Sequence, residues 1–203
     1  TLTNHKLDDE HSDVISRAQS AGVEKMLLIG CDISSSEQSL ALAKSYHLFS
    51  TAGIHPHDAK TATDSLEDQL TLLATQPQVV AIGECGLDYN RDFSPRNVQR
   101  SVLRRQLALA EKLNLPVYLH ERDASDDMIN ILTEFNVRGV LHCFTGDENA
   151  LKSYLALGLY IGITGWVCDE RRGQALQALA PSIPLNRLLI ETDAPFLIPR
   201  TVK

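Results

Sequence analysis

The sequence predicts an α/β fold of the TIM (β/α)8 barrel kind, and three observations carry that prediction. Helical and strand-like segments alternate along the chain, with seven strands in all. The strands are unbroken apolar runs, such as VVAI at 79–82, as expected of parallel strands buried on both faces beneath outer helices. Metal-capable side chains also stand where four of those runs end: Glu84 in VVAIGE, His120 in VYLHE, His142 in GVLHCF and Asp193 in LLIETDA. In a barrel the C-terminal ends of all strands meet at one face, whereas an open doubly wound sheet gathers its site at a single switch point. Four ligand strands converging on one point favour the barrel. A first strand and a last helix are missing from the pattern, and in a closed barrel these are neighbours. The expectation is one barrel domain over residues 1–203, shorn at its closure.

In chain order, residues 8–21 read as a helix with Val14, Ile15, Ala18 and Ala21 inward and Gly22 as its stop. Residues 25–30 (KMLLIG) form a short buried strand. Ser34 and Glu37 make an S-x-x-E capping box opening a helix to about Tyr46. A strand over 48–54 runs into His55-Pro56-His57-Asp58, and Asp64 and Glu67 open a helix to about Ala74. The strand over 79–84 ends at Glu84, before Gly86 and a polar loop. Ser94 followed by Pro95 is an N-cap with proline at the first helical position, and Leu103, Leu107 and Ala110 form that helix's inward stripe. Pro116 begins the next strand. Residues 123–135 are helical, 139–144 strand, 148–157 helix with Gly158 as the stop, 159–164 strand, 172–179 helix and 187–192 the last strand.

The formal net charge of -7 argues against a general polyanion-binding surface, so any nucleic-acid contact is local or metal-mediated. Cys31, Cys85, Cys143 and Cys168 lie far apart with no CxxC pair, which suits reduced intracellular thiols. No apolar run approaches the roughly 20 residues needed to span a bilayer, and no signal peptide is visible. A cytoplasmic protein without a membrane partner, monomeric by default, is expected. The chain starts at Thr1 without methionine, which points to a processed or cut N-terminus.

Glu84, His120, His142 and Asp193 make a mixed nitrogen and oxygen set suited to Zn, Mn, Fe or Ni, with the carboxylates extending the range to Mg. A buried-strand carboxylate such as Glu84 is costly unless paired or bound to a cation. Asp193 fits two roles, metal ligand and acceptor of a proton from the attacking water. Glu191, two residues back on the same side, is either a hydrogen-bonding support for a ligand or an interior salt bridge, with the structural reading favoured. His55 has either a phosphate or metal partner or a backbone one, and His57 is read as structural. Asp88 either orients a histidine or caps its loop. Arg122 is the best single candidate for a phosphate contact, with a salt bridge to Glu121 or Asp123 as the competing reading. Trp166 is read as packing or lid rather than a stacking platform, and Arg171-Arg172 as an exposed helix start rather than phosphate contacts. Cys85 and Cys143 neighbour ligand residues, so strand alternation turns them away from the metal. His5, His11 and His47 have no strand-end context.

Six segments in order, TAGIHPHDAK (51–60), AIGECGLDYNRDF (81–93), PVYLHERDA (116–124), VLHCFTG (140–146), YIGITGWVCDERRG (160–173) and LLIETDAPFL (188–197), resemble the TatD family of metal-dependent hydrolases over almost the whole chain. The resemblance implies a TIM barrel of the amidohydrolase type and a metal-dependent deoxyribonuclease. It further implies 3′-5′ exonuclease trimming of single-stranded DNA, with a role in DNA repair or fragmentation. It makes Glu84, His120, His142 and Asp193 metal ligands, Asp193 and Glu84 catalytic, and His55 and Arg122 substrate-binding. It implies Mg²⁺ as the usual activator, with Mn²⁺ or Zn²⁺ accepted. Most family members begin with a strand carrying His-x-His, which completes a two-metal site. Here the chain opens TLTNHKLDDE, so one resident ion is expected, with a second bound weakly or only with substrate. Two other readings are a metal-dependent amidohydrolase or lactonase acting on a small molecule, and an inactive metal-binding remnant.

Overall fold

The computed structural model describes residues 10–199. The seven strands are β1 (Leu27–Leu28), β2 (Phe49–Ala52), β3 (Val79–Asp88), β4 (Val117–Arg122), β5 (Gly139–Leu141), β6 (Tyr160–Ile163) and β7 (Leu188–Ile190). Between them lie α2 (Ile33–Tyr46), α3 (Leu66–Ala74), α4 (Arg96–Leu113), α5 (Ser125–Leu132), α6 (Glu148–Ala156) and α7 (Gln174–Leu179), with α1 (His11–Ser20) ahead of β1. Each strand pairs in parallel with the next, in the order β1 to β7. That sequential order is the barrel topology; a doubly wound sheet would reverse direction part-way. Residues 26–29 at the first edge and 192–194 at the last line one cavity of about 250 Å³, together with Tyr118 and His142 from the inner face. The sheet therefore curls until its two edges face a common space.

The main core fills the gap between this sheet and helices α2 to α7, with Leu103, Leu107, Leu119, Met128 and Tyr154 among its fully buried members. A satellite cluster of Ile15, Leu28, Ala43 and Leu48 joins α1 and α2 to the first strand. Leu103, Leu107 and Ala110 face inward on α4 as expected, and two glutamines share that buried face. Gln99 and Gln106 are each 1% exposed. The Gln106 amide accepts from the Ile54 N–H (2.8 Å) and donates to the Ile54 carbonyl (3.0 Å). Gln99 treats Asp88 the same way, at 2.8 and 3.1 Å, and also reaches the Ser94 carbonyl. Two side chains thus supply hydrogen bonds where β2 and β3 run out of ladder partners.

Several local expectations are corrected. The cap of α2 is Asp32, whose carboxylate accepts from the Ser35 N–H while the Ser35 hydroxyl answers, so Ser34 and Glu37 are not the box. Pro95, not Ser94, precedes α4; the Ser94 hydroxyl instead donates to the His57 carbonyl and accepts from the Lys60 N–H. Residues 56–61, expected as loop, wind into a 3-10 helix. Arg171 and Arg172 precede α7 in a turn rather than starting it. The predicted start of α1 at residue 8, and His5, lie outside the described residues. Among the described residues no helix is long and apolar enough to cross a membrane.

Candidate metal centre

β3 does not stop at Glu84. It continues to Asp88, and its register against β4 slips between Gly83 and Cys85. Glu84 is the extra residue of that bulge, and its N–H turns to the Gly30 carbonyl (2.8 Å). A bulge re-aims a side chain that strict alternation would place elsewhere. Gly86 follows at φ +156°, where a Cβ would run into the His120 carbonyl oxygen. Only glycine lets β3 and β4 approach this closely while one of them carries the extra residue. His120 and Arg122 belong to β4 itself, whereas His55 and His142 sit just beyond short strands, where backbone ties continue the ladder: His55 N–H to the Cys31 carbonyl (2.7 Å) and His142 N–H to the Leu119 carbonyl (2.8 Å).

These side chains converge on one pocket of about 530 Å³, which His55, Glu84, His120, Arg122, His142 and Asp193 all line. Within it they form two groups. Glu84 Oε1 lies 3.1 Å from His120 Nδ1 and 3.6 Å from His55 Nε2, and one donor atom from each of the three falls within 4.8 Å of the others. His142 Nε2 and Asp193 Oδ1 stand 3.7 Å apart. The expected quartet is therefore divided, and His55 joins the Glu84 group.

A ring of further residues holds these donors. Asp88 Oδ2 meets His57 Nε2 (2.7 Å) and His120 Nε2 (3.3 Å), while Oδ1 accepts from the Asn90 and Arg91 N–H groups. Asp88 thus orients a histidine and caps its loop at once. Glu191 faces His142 Nδ1 (2.7 Å), accepts from the Cys143 N–H (2.7 Å) and takes the Tyr118 hydroxyl (2.9 Å). Its contacts are with a site histidine rather than with a basic interior partner. Tyr118, which the sequence reading passed over, also sits 2.7 Å from His142 Nδ1. Gly162 on β6 leaves the space that the Glu191 carboxylate fills. Cys143 is a correction: β5 ends at Leu141, Cys143 adopts φ +48°, and it lines the pocket instead of turning away. Cys85 is fully buried as expected. Arg122 donates to Thr145 Oγ1 (2.8 Å) and approaches Asp123 only at 4.0 Å, while Glu121 turns to Ala124 N–H and Tyr154.

The electrostatics match a cation site. Burial pushes the Glu84 carboxyl upward, but His55, His120 and His142 outweigh it and hold it well below the usual carboxylate range. Burial lowers His55 to about 3, so it is neutral. Burial also opposes the charge on His120 and His142, yet Asp88 and Glu84 raise the first to about 9, and Asp193 and Glu191 raise the second to about 11. Without metal, His120 and His142 each hold a proton against the four carboxylates of Glu84, Asp88, Glu191 and Asp193. A divalent cation carries the same charge as those two protons. The donor set fits as well: ligands about 2.0–2.2 Å from an ion lie roughly 3–3.5 Å from each other, close to the 3.1 and 3.6 Å separations around Glu84.

A profile of the family described as TatD related DNase matches residues 1–203. The chain belongs to that family. It is 48% identical over 206 residues to the 3′-5′ ssDNA/RNA exonuclease TatD of Klebsiella pneumoniae, spanning all of this chain and 78% of the relative. To the protein of the same name from Enterobacter lignolyticus it is 50% identical, over 98% of this chain and 78% of the relative. Among solved structures it superposes on the TatD homologue YJJV of Escherichia coli with a TM-score of 0.89 at 31% identity, covering 97% of this chain and 77% of the other. The Entamoeba histolytica TatD family hydrolase gives 0.85 at 30% identity, covering 94% and 67%. The fold is thus the TIM-barrel type read from the alternation of strands, present among the described residues as a curled seven-stranded half-barrel.

Proposed function

We propose that this chain is a metal-dependent exonuclease that shortens single-stranded DNA from its 3′ end. The observation that carries the reading is the buried carboxylate-histidine pocket at the strand ends, in a chain half identical to exonucleases over nearly its full length. Glu84, His120, His142 and Asp193 would hold a divalent ion, with His55 beside Glu84. Such an ion polarises a phosphoryl oxygen and makes a nearby water more acidic. Asp193, the most exposed of the four carboxyl and imidazole groups, would accept the proton of the water that attacks phosphorus, while the bond from phosphorus to the 3′ oxygen of the neighbouring nucleotide breaks and that oxygen leaves to take up a proton. Glu191 and Tyr118 fix the ring of His142, and Asp88 that of His120, so neither donor reorganises as charge develops. Arg122 at the pocket wall takes a phosphate oxygen. Mg²⁺ is the working ion of this reading, although the imidazoles bind Mn²⁺ or Zn²⁺ more tightly. DNA repair or fragmentation, in the cytoplasm, is where such trimming serves.

The test is release of nucleotides from 3′-labelled and 5′-labelled single-stranded DNA, with Mg²⁺ and with EDTA, beside Glu84→Ala. Metal-dependent loss of the 3′ label first, abolished in Glu84→Ala, is the expected result. A folded, metal-loaded protein that leaves DNA intact but hydrolyses p-nitrophenyl esters or amides would move the assignment to small-molecule hydrolysis.

A further inference from the structure

We propose that Arg122, Trp166 and Arg172 form a subsite for backbone phosphates of the single-stranded substrate, one step outward from the reacting centre. The proposal rests on the exonuclease reading above and extends it to how the strand leaves the pocket. Arg122 ends β4 two residues beyond His120, and its guanidinium carbon lies over the Trp166 ring, 4.9 Å from the centroid. Arg172 lies over the same indole at 4.4 Å. One ring therefore fixes the spacing of two cations, the inner one in the pocket wall and the outer one on the surface.

The outer arginine is aimed, not loose. Buried Asp169 accepts from the backbone N–H groups of Arg171 (2.9 Å) and Arg172 (3.1 Å), and from Arg172 Nε (3.2 Å) and Nη2 (3.0 Å). The Arg172 side chain nonetheless stays 55% exposed. The backbone N–H of Trp166 donates to the Thr164 hydroxyl (3.3 Å), which caps the 3-10 turn that carries the indole. Because guanidinium groups cover the indole, the assembly suits phosphate oxygens, which a guanidinium engages two at a time, rather than a stacked base.

Charge selects the direction. A second groove adjoins the pocket, sharing Glu121 and Thr145 with it, and is bordered by Asp123, Asp147 and Glu148. A polyanion is repelled there and drawn to the Trp166 side. On a chain of net charge -7 this pair of arginines supplies local positive charge that strand binding needs.

The measurement is equilibrium binding of a labelled oligodeoxythymidylate by fluorescence anisotropy at several salt concentrations, with KM and kcat taken on the same strand. Arg172→Gln is expected to weaken binding and raise KM roughly 5-fold with kcat held, the scale of one solvent-exposed charge-assisted hydrogen bond. The slope of log affinity against log salt should shrink by about 0.7, one phosphate's share of counterion release on a single strand. Trp166→Ala should do the same and Trp166→Phe, which keeps an aromatic ring for both arginines to lie over, should restore most of it. Arg104→Gln, whose arginine pairs with Glu134 on an outer helix, is the control and leaves both unchanged. If Arg172→Gln keeps wild-type affinity and salt slope, the arginines merely pack on the indole and the subsite is wrong. If the wild type binds the strand with the predicted slope change in Arg172→Gln yet never shortens it, the subsite stands and the exonuclease reading falls.

Discussion

Replacing Gln106 by leucine should destabilise the whole domain, although the side chain touches no substrate. Its amide is the partner of both the N–H and the carbonyl of Ile54, itself 2% exposed. Leucine fills nearly the same volume, so the cavity contribution is small and the loss falls on two orphaned backbone groups. Each buried, unsatisfied group costs about 1–3 kcal/mol; set against the desolvation of the amide that is no longer needed, the net is about 2–4 kcal/mol. For a chain of this length a change of 1 kcal/mol moves Tm by about 2–4 °C, so the melting point should drop by about 5–15 °C. Urea unfolding in EDTA, followed by circular dichroism, should show the midpoint falling with the m-value unchanged. Gln106→Glu is the companion variant: it keeps an acceptor for the Ile54 N–H but sets a carboxylate against the Ile54 carbonyl. Its defect should ease on acidification, when the protonated acid can donate again. A loss below about 0.5 kcal/mol for Gln106→Leu would mean that those backbone groups find other partners, and the clamp argument would be refuted.

Metal affinity should rise steeply with pH up to about 9, because His120 (about 9) and His142 (about 11) must each shed a proton to ligate; each displaced proton adds about tenfold per pH unit, readable by calorimetry in buffers of different ionisation heat. Metal-free protein should be most stable near pH 6.5. The raised pKa values of His120 and His142 contribute stability that is full below 6.5 and lost as pH climbs through 9 and 11. Lowered His55 contributes above 6.5 and loses that contribution as pH falls toward 3, while depressed Glu84 and Asp88 lose theirs on further acidification; urea midpoints across pH in EDTA would show the maximum, and a flat profile would contradict it. Tyr118→Phe removes the hydroxyl shared by His142 and Glu191 and should weaken metal binding roughly 10-fold in a chelator competition, the usual cost of losing an outer partner of a ligand. Gly86→Ala, forced against the His120 carbonyl at φ +156°, should cost more than about 3 kcal/mol or leave no soluble protein.

The barrel was legible because its signal is repetitive: seven apolar runs, each followed by a polar loop, leave one topology once the ligands are seen to share one end. The pocket membership of Glu84, His120, His142, Asp193, His55 and Arg122 was legible for the same reason. Their grouping was not. It depends on the bulge at Glu84, and no residue pattern distinguishes a strand that ends at Glu84 from one that slips there and runs on to Asp88. Glu191 and Tyr118 were underestimated because their partner, His142, lies 49 and 24 residues away in sequence, and pairing at that distance is a tertiary fact. Gln99 and Gln106 did leave a trace. They sit on the apolar face of α4 seven residues apart, and a polar side chain on a buried stripe has to find partners somewhere. Arg172 and Trp166 looked ordinary one at a time; the shared indole is what sets them apart.

The tie between Tyr118 and Glu191 bridges 73 residues of chain, and this gives the pocket a history as well as a shape. During synthesis Glu84 and His120 emerge well before Glu191 and Asp193, with a delay on the order of ten seconds at ordinary elongation rates. Until the last strand docks, His142 lacks the carboxylate that faces its Nδ1 and the Asp193 opposite its Nε2. The incomplete chain can hold a cation only by its Glu84 half. On the proposed function, competence for chemistry is therefore a property that the nascent polypeptide gains only once residues 191–193 have docked.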